Sequence, residues 1–237
     1  MPFSPQQHQL WVTNFFAGKI REFFYHLRWV VRCCDESMAD FRAQRPTAGP
    51  SHEEVLYAYS ALTNTVMTLK DGGSMFLEPK IVWSDIDQLR HGLFMHECRN
   101  AATHDGHPVI SGWAEGKFFV PSNIKRYDDK SRLVQIAVPS ADVRTFCLEF
   151  AKDFAELLER RLRPSQGAVG ATNALADLDE IFQSDLIPQD VRNTLQENKD
   201  ALAAQLAQAK TYPIDAAIAL LIEIQHYCDA QLAVPSS

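Results

Sequence analysis

Apolar residues recur at spacings near three and four along most of this chain, the period of an amphipathic helix. From Gln9 to Arg42 the series Phe15, Phe16, Phe23, Phe24, Leu27, Val30, Val31 and Cys34 predicts one long helix, with Gly18 as a place to bend it. The segment Arg45-Pro46-Thr47-Ala48-Gly49-Pro50 predicts a turn. Ser51 then fits an N-cap, and Glu54 three residues later completes a capping-box pattern. The second helix carries Val55, Tyr59, Leu62 and Val66 and stops at Asp71-Gly72-Gly73. A third is expected with Ser84 as N-cap and Asp85 and Asp87 at the positive end of its dipole. It runs through Ile86, Leu89, Leu93, Phe94 and Cys98 to about Thr103, and Asp105-Gly106-His107-Pro108 ends it.

The period then changes. Val109-Ile110, Phe118-Phe119-Val120 and Leu133 to Val138 read as short strands, with Ala114-Glu115-Gly116 and Asp128-Asp129-Lys130-Ser131 as turns. This predicts a small antiparallel meander over about residues 109–138. Ser140 is the expected cap of a fourth helix through Val143, Phe146, Phe150, Phe154, Leu157 and Leu158 to Leu162. Residues 165–172 have the composition of a linker. Beyond it, helices are expected near 174–183, 189–210 and 213–232, with Pro213 in the first helical position of the last. The expected fold class is therefore mainly α: a helical domain over 1–164 with an inserted β meander, the linker, and an additional C-terminal helical segment over 173–237.

Composition leaves this picture in place: 46% hydrophobic and 22% charged residues suit a globular chain with a sizeable core. Leu10 to Phe41 is the most apolar long stretch, but Lys19, Arg21, Glu22, Arg28 and Arg32 recur too often for a membrane span. No basic region followed by an apolar run opens the sequence, so no signal peptide and no membrane partner are expected. The five cysteines, Cys33, Cys34, Cys98, Cys147 and Cys228, are odd in number and irregular in spacing. They read as reduced thiols of a cytoplasmic protein.

Charge is unevenly distributed. The net charge of −7 lies wholly beyond residue 172, where ten acids meet three bases. Residues 1–172 balance, so the acidic total does not by itself exclude a polyanionic partner for them.

The stretch that reads as chemistry is Arg99-Asn100-Ala101-Ala102-Thr103-His104. Asn100 and His104 are four apart and share a helix face. Arg99 diverges from His104 by about 140° on a continuous helix. A joint site therefore predicts a distorted last turn or a second copy of the chain. Histidine can move a proton near neutral pH, arginine presents a planar fork to a phosphate, and asparagine can orient an imidazole. The same stretch also reads as a C-terminal cap, with a cation near the negative helix end and Gly106 for a left-handed turn.

Arg99, Asn100 and His104 resemble the Arg-Asn-x-x-x-His signature of HEPN domains (higher eukaryotes and prokaryotes nucleotide-binding), a helical-bundle family that includes many RNases. As a plan of helices the resemblance covers about residues 9–163; as a motif it covers those three residues. The strands depart from the simplest members. The resemblance implies a metal-independent endoribonuclease of a prokaryotic toxin or phage-defence type. It implies a homodimer with both motifs in one cleft, and products with a 2′,3′-cyclic phosphate and a 5′-hydroxyl. His104 would be general acid or base, Arg99 would stabilise the phosphate and Asn100 would orient. An antitoxin or nucleotidyltransferase partner fits that context.

Lys117, Lys125, Arg126, Lys130 and Arg132 fall in the expected meander, with Phe118 and Tyr127 nearby. They are candidates for holding an RNA backbone and stacking a base, or lysines that guard strand edges. His91, His96, His104 and His107, with Glu97 and Cys98, lack metal-site spacing, so neither metal nor cofactor is expected. The competing reading is a non-catalytic helical interaction module that works through the acidic C-terminal helices.

Overall fold

The computed structural model describes residues 4–45, 52–128, 130–167, 187–208 and 212–233. The protein is mainly helical, with two small antiparallel strand pairs. Helix α1 spans Pro5–Arg42. It begins before the expected Gln9 because Ser4 and Gln7 form a reciprocal box. The Gln7 amide donates to Ser4 Oγ at 3.2 Å, and the Ser4 amide donates to Gln7 Oε1 at 2.8 Å. Helix α2 spans His52–Gly73. The expected turn over 46–50 and the Ser51 cap lie outside the described residues.

The single third helix of the sequence reading is two. Helix α3 is Trp83–Asp87 and α4 is Gly92–Asp105. Val82, not Ser84, holds the cap position of α3, and its amide donates to Asp85 Oδ2 at 3.1 Å. The break has tertiary causes. Arg90 reaches Glu149 at 3.1 Å and Asp153 at 3.0 Å, and His91 meets Glu149 at 2.7 Å. His91 takes a left-handed φ of 62°. A Cβ on Gly92 would stand 1.8 Å from the Ile86 carbonyl oxygen, so only glycine fits this crossing.

The expected meander is two separate hairpins. Strand β1 (Gly112–Ala114) pairs with β2 (Lys117–Phe119), and β3 (Ile124–Tyr127) pairs with β4 (Leu133–Ile136). No ladder joins the pairs. Pro121, between them, cannot donate to one. Val109 and Ile110 are buried but belong to no strand, and the Ile110 carbonyl lies 2.5 Å from His52 Nε2. Helix α5 spans Val143–Leu162. Its cap is Asp142 rather than Ser140: the Thr145 amide donates to Asp142 Oδ1 at 3.1 Å.

Past the linker, of which 168–172 lie outside the described residues, the expected helix at 174–183 is also undescribed. The expected 189–210 helix divides at Asn198 into α6 (Gln189–Glu197) and α7 (Lys199–Gln208). Helix α8, Pro213–Ala233, starts on Pro213 as expected.

Helix α1 packs against α2, α5 and α8, and α4 lies on α2. Phe23 meets Phe154 edge-on at 5.6 Å, and Phe24 meets Tyr227 at 5.2 Å. Fully burying each such side chain stabilises the fold by about 1.5–3 kcal/mol. The last helix belongs to this core. Ile214, Ala217, Ile218, Leu221, Ile224 and Cys228 are buried in it, while Asp229 on the outer face pairs with Lys152 of α5 at 2.5 Å. Among the described residues no helix is long and apolar enough to cross a membrane.

Candidate functional site

Helix α4 carries the motif on its last two turns and ends cleanly. Gly106 adopts φ 63°, and both its amide and that of His107 donate to the Ala101 carbonyl. The cap reading of His104-Asp105-Gly106 thus holds as local structure. It does not compete with the chemistry, because capping uses the backbone here and leaves the His104 ring exposed.

The expectation that Arg99 needs a distorted helix end or a second chain to meet His104 is corrected. Arg99 Nη1 donates to Asn100 Oδ1 at 3.2 Å and lies 3.5 Å from His104 Nε2 on an intact helix. A helical wheel fixes where a side chain starts, and the long arginine stem then bends across to its neighbours. A guanidinium carries donors only, so at this contact Nε2 is the acceptor and carries the lone pair. Arg99 Nε is buried without a hydrogen-bond partner.

A groove of about 640 Å³ opens between α4 and the β3–β4 hairpin. Asn100 and His104 line one side; Arg126, Tyr127, Arg132 and Val134 line the other. Glu97 and Asp105 also face it. These two acids are four residues either side of buried Ala101. Arg126 spans them: Nε donates to Asp105 Oδ2 at 2.6 Å, and Nη1 stands 3.9 Å from Glu97. Its side chain is only 12% exposed. The hydrogen bond from Arg126 holds the Asp105 carboxyl below its ordinary range, and in turn pushes the guanidinium up. Arg126 is thus a strut between hairpin and motif helix.

The other four basic candidates separate. Arg132 pairs with Asp128 at 2.6 Å on the groove rim. Asp128 also accepts the amides of Lys130 at 2.9 Å and Arg132 at 2.8 Å, which closes the turn. Those contacts, the Arg132 amide first, lower its carboxyl. Lys130 is exposed in that turn, and Lys125 is exposed on the strand face opposite Arg126. Lys117 is not in the groove: it lies on the other hairpin and lines a different cavity. Tyr127 is 67% exposed at the groove edge, beside its cross-strand partner Leu133 at 58%. Phe118, the other aromatic candidate, is buried.

Of the histidines near the motif, His107 has its Nδ1 buried without a hydrogen-bond partner, and two others have partners of their own. His96 stacks on Trp83 at 3.8 Å and meets Asp87 at 3.0 Å, while His91 meets Glu149. Cys98 is buried, and burial pushes its thiol up. Among the described residues no three histidines, cysteines or acids converge as metal ligands. Sequence reasoning missed the roles of Glu97 and Asp105. The signal was present as two acids at i and i+8 around a small residue, facing a strand with an inward arginine.

Comparison with family models, with curated proteins and with solved structures returns no match for this chain.

Proposed function

We propose that the protein is a metal-independent endoribonuclease of the HEPN type, acting in the cytoplasm in a prokaryotic toxin or phage-defence setting. The observation that supports this reading is the contact of Arg99 with both Asn100 and His104 at the edge of an open groove. In the proposed reaction the substrate phosphate draws the Arg99 nitrogen off His104 Nε2, which then accepts the proton of a ribose 2′-hydroxyl. The 2′-oxygen bonds to the adjacent phosphorus, the P–O5′ bond breaks, and the protonated His104 returns that proton to the departing 5′-oxygen. Arg99 stabilises the charge that builds on the phosphoryl oxygens, using donors not engaged by Asn100. Asn100 keeps the guanidinium turned towards the imidazole. The RNA would run along the groove past Tyr127 and Arg132, with Lys125 and Lys130 on its outer side. The family resemblance adds a homodimer with paired motifs, and an antitoxin or nucleotidyltransferase as partner.

The reading that assigns function to the acidic C-terminal helices fits less well. Helix α8 commits its apolar face to the core, and among the described residues α6 buries no side chain.

The test is digestion of a mixed RNA pool by wild type, Arg99→Ala and His104→Ala, with a chelator present and with end-group analysis. Loss of a proton-transfer group lowers cleavage by about 10²–10⁴-fold. The expected products carry 2′,3′-cyclic phosphate. Equal rates for all three proteins, or 3′-hydroxyl products, would sink the proposal.

A further inference from the structure

Another cavity lies away from the motif. It holds about 280 Å³ at the meeting of α1, the β1–β2 hairpin, the start of α5 and the end of α8. Its apolar wall is Cys34, Met38, Ala39 and Phe118; its polar groups include Lys117, Asp142 and Arg144.

The wall is firmly placed. Gly116, at φ +81°, presses on α1 so closely that a Cβ there would stand 2.9 Å from Phe41 Cβ and 3.0 Å from Met38 Cα. Trp113 Nε1 donates to Ser37 Oγ at 3.0 Å and pins the same hairpin to the same helix. The cavity is therefore a fixed feature of the packing.

Five charged groups line it, and Arg144, Asp35, Asp142 and Arg42 are already engaged. Arg144 Nε donates to Asp35 Oδ1 at 2.7 Å, while its Nη1 and Nη2 reach the Gln231 carbonyl at 3.2 Å and Gln231 Oε1 at 2.5 Å. Asp142 accepts the Thr145 amide and hydroxyl as helix cap. Lys117 is different. It is half-buried and has no hydrogen-bond or ion-pair partner among the described residues. An ammonium without a protein partner beside an apolar wall is satisfied by an anion with an apolar body. The Cys34 thiol at the back is raised by burial, so no thiolate competes for the lysine or attacks a ligand.

We propose that this cavity binds a small amphipathic organic anion, its charged head on Lys117 and its apolar body against Met38, Ala39 and Phe118. The volume lies at the lower edge of ordinary ligand pockets, which limits the occupant to something smaller than a drug-sized molecule.

Octanoate serves as the probe, and octanol as its uncharged counterpart, in calorimetric titrations of the full chain. Saturable octanoate binding is expected, with octanol weaker by about tenfold, the loss of one charge-assisted contact. Lys117→Met keeps the stem but removes the charge. It should weaken octanoate by a similar factor and leave octanol unchanged. Ala39→Trp narrows the exposed wall and should abolish both, which separates this cavity from apolar surface elsewhere. Absence of saturation by octanoate, equal binding of octanol, or an unchanged affinity in Lys117→Met overturns the proposal. Lys117→Met alters a single rim side chain, so the test stands even where Ala39→Trp disturbs the fold.

Discussion

The β1–β2 and β3–β4 hairpins are both two-stranded and antiparallel, yet the first is held to the bundle by apolar burial and the second by ions. On the first, Phe118 is 3% exposed, and Gly116 and Trp113 rest directly on α1. On the second, Ile124 and Ile136 are buried as a cross-strand pair, but the tie to α4 runs through Arg126, Asp105 and Glu97. Composition alone groups their lysines and arginines into one patch. Their attachments divide them, one lysine going to the α1 cavity and two arginines to the groove beside α4. A cationic residue in a strand is thus informative only once its face and its acid are known.

The comparison breaks most visibly at Phe118. Phe118→Ala should cost about 3–5 kcal/mol by denaturant unfolding, because a packed aromatic leaves a cavity. A loss below about 1 kcal/mol would mean that the first hairpin is not seated by burial. Gly116→Ala is next, at about 1–3 kcal/mol, from the left-handed backbone together with the crowding of Met38 and Phe41. Glu115 shares the positive φ, at 51°, so the pair forms the two-residue turn that suits a hairpin's twist. Placing Asn at 116 should recover part of the loss, since Asn tolerates that region better than Ala.

The helices were legible because their evidence is local. Apolar periodicity placed α1, α2, α5 and α8, and Pro213 opened the last. The break before α4 was not, because its causes are the Ile86 carbonyl behind Gly92 and the Glu149 and Asp153 side chains of a helix some sixty residues later. A helical period continues in phase through such a kink. Strand β3 was missed because only Ile124 of its four residues is buried and apolar, while the inward position two further on is Arg126. At the site, the three motif residues could be named from sequence. Their contact could not, since a wheel of Cβ directions omits the length of the arginine. Asp142 displaced Ser140 as cap because the chain enters α5 two residues later than expected.

Arg126→Met tests the second hairpin and should have a smaller effect on stability than Phe118→Ala or Gly116→Ala. The pair is largely covered on the arginine side but open to water on the acids. The stem of methionine keeps most of the packing, so the loss reports the charge. In the proposed nuclease the same change should lower turnover more than substrate affinity, because Asp105 adjoins His104. Equal loss of stability from Arg126→Met and Lys125→Met would show that the strut carries nothing particular.

Acid separates the two hairpins most gently. Asp105 and Asp128 both have carboxyls lowered in the fold, the first chiefly by the Arg126 side chain and the second chiefly by the Arg132 amide. A lowered folded value means that the unfolded chain binds protons first as pH falls. The stabilisation is then fully present above the ordinary carboxylate range and is lost as pH drops through the lowered values. Both acids belong to the β3–β4 hairpin and its anchor; the Phe118 seat of β1–β2 is apolar burial, with the His52 ring as an aromatic neighbour at 6.0 Å. Amide exchange followed from neutral pH to about pH 3 should therefore show Arg126 and Val134 losing protection before Trp113 and Phe118. In Arg126→Met the Asp105 part of that acid response should vanish and the Asp128 part remain. Asp128→Asn should remove the rest. If Trp113 and Phe118 lose protection first or simultaneously, the division between a buried hairpin and an ionic one fails, and the groove beside His104 would have to be held by something other than Arg126.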